Sequence, residues 1–166
     1  MRITIVGTGY VGLPTAVSFA EHGNDVTCID VDESKIKLLE DGVSPIHEEG
    51  LDVALREQID SGNLHFTSDY SEGLKDSVAV FCAVGTPENE DGSANLSYVF
   101  EVARNVAKHI KQYTVFVDKS TVPMGTAAKV SQVISEITNI NFDVVSNPEF
   151  MAEGRALNDV RRPARI

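Results

Sequence analysis

Two sets of residues in this chain have types and spacings suited to chemistry. The first is the run Gly7-Thr8-Gly9-Tyr10-Val11-Gly12, with Asp30 downstream. The second is the carboxylate pair Glu149 and Glu153, inside Asn147-Pro148-Glu149-Phe150-Met151-Ala152-Glu153-Gly154. The glycine run reads as a phosphate cradle. Gly7 lets the chain turn sharply, Gly9 leaves bare backbone for a pyrophosphate, and Gly12 allows close helix–strand packing. A helix starting there offers free N–H groups and a partial positive charge. An acid about twenty residues further on can accept both ribose hydroxyls. It also repels a 2′-phosphate, and no Arg follows directly, so NAD is favoured over NADP. Plainer readings exist for both features: a tight turn for the glycines, a helix cap for Asp30.

The elements around the motif decide between these readings. Arg2 to Val6 is a short β-branched run, read as a buried strand. Leu13 to Ala20 reads as an amphipathic helix that tolerates Pro14 in its first turn. Asp25 to Asp30 is a second strand, which Asp30 closes. The alternation continues with helices over 33–40 and 51–59 and a strand over 64–67. A short helix or turn follows over 70–74. Val78 to Val84 is apolar on both faces, as a central parallel strand should be. A polar loop over 88–94 leads to a helix over 96–110, with Val99, Val102, Ala103, Val106 and Ile110 on one face and Asn95 or Ser97 as its cap. Strands over 115–118 and 142–146 flank a helix ending near 137. Asn147 is expected to cap a short helix with Pro148 at its first position. The tail, Asp159 to Ile166, is rich in Arg and Pro.

Six strands alternating with helices predict an α/β, doubly wound, Rossmann-type parallel sheet of order 3-2-1-4-5-6. The ligand crevice should open at the carboxyl ends of strands one and four. It would be framed by the loops Gly7–Gly12, Gly85–Pro87 and Ser120–Pro123.

The chain has 166 residues, which suits one domain. Its formal charge of −11 argues against nucleic acid and anionic membrane as partners. No apolar run approaches the ~20 residues of a spanning helix. The N-terminus reads as a strand and not as a signal peptide, so a cytoplasmic location is expected. Cys28 and Cys82 fall in strands, show no metal spacing and read as reduced packing residues. No metal site is expected. His22, His47, His65 and His109 read as surface or loop residues.

The glycine run with Leu13, Val84-Gly85-Thr86-Pro87, Ser120-Thr121-Val122-Pro123 and the 147–154 patch stand in an order and spacing that resemble the UDP-glucose/GDP-mannose dehydrogenase family, in its N-terminal NAD-binding domain. The resemblance spans the whole chain. It implies oxidation of a nucleotide sugar's C6 alcohol to a carboxylate with two NAD, UDP-glucose being the expected substrate. GDP-mannose and UDP-N-acetylmannosamine are the alternatives. The loop containing Gly7, Gly9, Tyr10, Val11 and Gly12 would bind the cofactor, Val11 through its backbone. Asp30 and Lys35 would hold the adenosine ribose, and Thr86 and Thr121 would line the cofactor site. Glu149 and Glu153 would reach the substrate end, with Glu153 also near the nicotinamide. These acids and Thr121, with an ordered water, would assist proton transfer and thioester hydrolysis. The family's nucleophilic Cys and its substrate-side Lys and Asn match nothing here. Residues 1–166 are therefore expected to be an N-terminal fragment that binds NAD but does not turn over sugar nucleotide. The full-length protein is expected to be a homodimer. A stand-alone NAD-binding module without chemistry is the alternative from another class, and the carboxylate pair argues against it.

Overall fold

The computed structural model describes residues 1–165, so Ile166 of the tail lies outside the described residues. The chain runs β1 (Arg2–Val6), α1 (Gly12–Glu21), β2 (Asp25–Ile29), α2 (Glu33–Glu40), α3 (Leu51–Asp60), β3 (Leu64–Thr67), α4 (Tyr70–Gly73) and β4 (Ala79–Cys82). It continues through α5 (Ser97–His109), β5 (Thr114–Asp118), α6 (Thr126–Ser135), β6 (Phe142–Ser146) and α7 (Ala156–Arg161). The six strands form one sheet of order β3-β2-β1-β4-β5-β6, and all five pairings are parallel. The expected order is therefore observed. The reversal falls between β1 and β4, where Val6 pairs with Cys82.

Alternation along the strands divides the core in two. Ile3, Ile5, Val26 and Cys28 face Leu13, Val17, Leu51 and Leu55 beneath α1 and α3. Val6, Ile29, Val80, Cys82 and Phe116 face α5 and α6 on the other side. The predicted stripe on α5 is that inner face: Val99, Val102, Ala103 and Val106 are all buried. Each such valine contributes on the order of 1.5 kcal/mol by leaving water. Thr4, pointing between the strands and α4, is buried because its hydroxyl donates to the Gly73 carbonyl at 2.6 Å.

The structure corrects the sequence reading in several places. Residues 147–154 are not helical, Asn147 is not a helix cap and Pro148 does not open a helix; regular structure resumes only at α7. Amides of this stretch are taken by the Asp118 carbonyl and by the side chains of Glu149, Asp159 and Glu48, as described below, so no helical ladder forms. The α5 cap position is Leu96, without a side-chain bond, while Asn95 Oδ1 accepts the Ser97 N–H at 2.9 Å. His109 is no loop residue: it ends α5, half-buried and stacked on Tyr70.

Candidate cofactor crevice and acid-bearing loop

Gly7 leaves β1 with φ +100°, a conformation that disfavours any side chain, and a Cβ there would lie 2.7 Å from the Ala83 carbonyl oxygen. Gly12 is excluded from change by contact instead. A Cβ would sit 1.8 Å from the Gly7 carbonyl oxygen, so α1 packs against the turn only because that atom is absent. At Gly9 a Cβ would meet nothing within 4 Å, so the space above this backbone is open. The amides of Tyr10, Val11 and Gly12 make no hydrogen bond among the described residues, and α1 begins there. Open space over bare N–H groups at a helix start fits a diphosphate.

Asp30 sits just past β2, nearly buried. Its Oδ2 accepts both the Thr8 N–H at 2.9 Å and the Thr8 hydroxyl at 2.6 Å, and its Oδ1 accepts the Asp32 N–H at 3.0 Å. The carboxylate is thereby fixed to the glycine turn and keeps lone pairs for further donors. The helix-cap reading of Asp30 is overturned: Asp32 caps α2, accepting from the Ser34 and Lys35 amides. Gly7, Gly9, Asp30 and Lys35 line one cavity of about 450 Å³, together with Tyr98 and Glu101 of α5. The fit to a dinucleotide is good at the adenosine and diphosphate end.

The other predicted residues are more dispersed. The Thr86 hydroxyl donates to the Thr121 carbonyl at 3.1 Å, joining the loops after β4 and β5. Ser120 Oγ reinforces this junction through the Val84 carbonyl at 2.7 Å. Tyr10 and Thr121 are exposed, and Val11 is half-buried against the α1-side core. Glu149 lines a second cavity of about 870 Å³, together with Lys119, Asn147 and Arg155, above Phe81, Val117 and Val145 of the sheet. Glu153 is exposed and lines neither cavity. So Gly7, Gly9, Asp30 and Lys35 are brought together, whereas Glu149 and Glu153 lie on a loop beyond β6.

That loop is held by bonds from four directions. The Asn147 N–H donates to the Asp118 carbonyl at 2.9 Å, and Asn147 Oδ1 accepts from Lys119 Nζ at 3.3 Å. Glu149 Oε2 accepts the Met151 N–H at 2.5 Å, and Asp159 accepts the Ala152 N–H at 3.1 Å. Glu48 accepts from Gly154 and Ala156. Burial pulls the Lys119 ammonium below its ordinary range, an effect Glu149's charge partly opposes. Asp118 is fully buried, and its carboxylate oxygens have no hydrogen-bond partner among the described residues. Burial pushes it up to about 6; the Ser120 N–H, already committed to the Cys82 carbonyl, offsets only part of this.

The sequence reading missed Lys119, Glu48, Tyr98 and Glu101. Lys119 had a usable signal, a cation at the carboxyl end of a strand. Tyr98 and Glu101 share a helix face at i,i+3. Glu48 had none, being one acid of a loop pair. Both cysteines are buried thiols: burial raises Cys28 strongly and pushes Cys82 up to about 12. They are held protonated and are poor nucleophiles. Among the described residues no group of three or more His, Cys, Asp or Glu is arranged to hold a metal, and no helix is long and apolar enough to cross a membrane.

Comparison with known proteins agrees with this geometry. The profile of the UDP-glucose/GDP-mannose dehydrogenase family, NAD binding domain, matches residues 1–166. UDP-glucose 6-dehydrogenase of Rhizobium meliloti is 50% identical over 169 residues, covering 100% of this chain and 38% of the relative. A UDP-glucose dehydrogenase structure from Pyrobaculum islandicum superposes with a TM-score of 0.94 at 41% identity, covering 98% of this chain and 39% of that one. A ternary complex of GDP-mannose dehydrogenase from Pseudomonas aeruginosa gives 0.94 at 35% identity, covering 98% and 39%. The chain thus spans about two fifths of the length of these relatives. With a cradle at the β1–β4 reversal and a family match along its entire length, the chain belongs to the UDP-glucose/GDP-mannose dehydrogenase family, as its NAD-binding domain.

Proposed function

We propose that this chain is the cofactor-binding part of a UDP-glucose 6-dehydrogenase, which oxidises the C6 alcohol of UDP-glucose to UDP-glucuronate. The observation that carries the reading is the single cavity over Gly7 and Gly9, with Asp30 clamped to Thr8 and Lys35 beside it. NAD, when bound, supplies the hydride acceptor. The chain's own groups bind and orient it. Tyr10, Val11 and Gly12 present amides to the diphosphate, and Asp30 and Lys35 take the ribose hydroxyls. Thr86 and Thr121 bound the path toward the nicotinamide. Glu149 and Glu153 serve the substrate end, with Thr121, by accepting a proton or orienting water, and Glu153 also meets the nicotinamide end of the cofactor. Identity of 46–50% to UDP-glucose 6-dehydrogenases favours UDP-glucose. Likeness to a GDP-mannose dehydrogenase keeps GDP-mannose as the second reading. The longer protein acts as a homodimer in the cytoplasm, without nucleic-acid or membrane partners.

Residues 1–166 alone bind cofactor without turnover, because neither cysteine is positioned or ionised to serve as the nucleophile. Calorimetry of this chain should give one NAD site, and steady NADH production with UDP-glucose should be absent. No heat of association with folded material would sink the cofactor reading. Steady turnover would sink the fragment reading.

A further inference from the structure

Glu48 is the one acid of the loop between α2 and α3 that is buried. Its Oε1 accepts the Gly154 N–H at 2.7 Å and its Oε2 the Ala156 N–H at 2.9 Å, across more than a hundred residues of sequence. Among the described residues it forms no salt bridge. A buried carboxylate without a cation is costly unless N–H groups replace its water. Here the two it meets lie just after Glu153, Gly154 being the next residue and Ala156 the first of α7.

α7 is seated by other contacts as well. Ala156 and Leu157 are buried, Leu157 in the core beside Leu51 and Leu55, and Arg161 pairs with Glu21 of α1. What apolar docking cannot fix is the path of 152–155, where Gly154 takes φ +85°. The Glu48 loop is itself tied down by local bonds. Ser44 bonds to Ile46 in both directions, the Leu51 N–H donates to the Glu48 carbonyl, and Leu51 is fully buried.

We infer that Glu48 is a positioning residue: by clasping the Gly154 and Ala156 amides, it sets the place of Glu153 relative to the nicotinamide end of the crevice. The inference rests on the placement of Glu153 given under Proposed function. It couples the β2–β3 side of the sheet, which carries Asp30, to the loop beyond β6.

The test uses the full chain with Glu48→Gln, Glu153→Gln and the double substitution, titrated with NADH and with ADP-ribose, which lacks the nicotinamide. E48Q keeps shape and one acceptor but sets an N–H against an N–H. Exchange of the Gly154 and Ala156 amides should accelerate in E48Q. ADP-ribose affinity should stay within about twofold while NADH weakens about fivefold, the scale of one hydrogen bond. E153Q should weaken NADH similarly. The double variant should be no worse than E153Q, because a residue acting through another is non-additive with it. If E153Q weakens NADH but E48Q does not, or if the losses add, the inference falls and the cofactor reading stands. If E153Q leaves NADH binding unchanged, the placement of Glu153 falls and takes the inference with it. Should E48Q fail to fold, Glu48→Asp, which draws the carboxylate back by one methylene, decides the matter: NADH affinity equal to the unsubstituted chain overturns the inference.

Discussion

The cofactor crevice and the acid-bearing loop are built by opposite means. In the crevice, backbone does the work. A left-handed Gly7, a contact that only Gly12 permits and a helix start place N–H groups, and one side chain, Asp30, locks the turn to β2. The loop at 147–155 has no ladder of its own, and side chains from elsewhere hold it: Lys119, Glu48 and Asp159. Binding a constant ligand calls for geometry that sequence-local rules can supply. A loop without a ladder calls for tethers, and here they include side chains from distant parts of the chain.

The largest expected effect tests whether the two regions share a foundation. Gly12→Ala puts a methyl into the Gly7 carbonyl and should destabilise the chain by about 3 kcal/mol or more, if it folds at all. Because α1 also carries α7, both regions should melt together in a thermal scan. Independent melting would break the comparison.

Asp118 lies where the regions meet, its carbonyl holding Asn147. Its raised folded pKa of about 6, against an ordinary 3.8, means that its contribution is full below 3.8 and lost as pH rises through 6. Asp118→Asn removes that loss. Unfolding free energies from denaturant titrations should nearly match at pH 4 and favour the variant by on the order of 2–3 kcal/mol at pH 7. A pH-independent difference would mean that the carboxyl is not desolvated.

Asp30→Ala should cost about 2 kcal/mol in stability, since Thr8 loses its acceptor, and should weaken NAD at least about tenfold by calorimetry. It should also narrow the preference for NAD over NADP. A loss of stability without loss of affinity would reassign Asp30 to the turn alone.

The smallest effect belongs to the loop side. Arg161→Ala removes an exposed pair with Glu21 and should cost about 0.2–1 kcal/mol, screened by salt, with NAD affinity unchanged. A larger loss would show that α7 is seated by charge and not by Leu157.

Much of the crevice was legible because its determinants are short-range. Glycine spacing, a β-branched run and an acid at a strand end are local facts, and the handedness of β–α–β crossovers turns them into a sheet order. The 147–154 stretch misled because Asn-Pro-Glu is also a good helix start. Nothing in those residues tells that their amides are bound by Asp118, Asp159 and Glu48.

The sequence by itself determined the alternation of elements, the strand order, the glycine turn and the acid that closes β2, since each follows from side-chain periodicity and backbone sterics. Only the tertiary structure decided which acid of the Glu48-Glu49 pair is buried, that the Asp118 carboxylate meets no partner among the described residues, and where Glu149 and Glu153 stand. Those outcomes depend on contacts between segments 28 to 108 residues apart or on solvent exclusion by packed helices, and no local pattern encodes either.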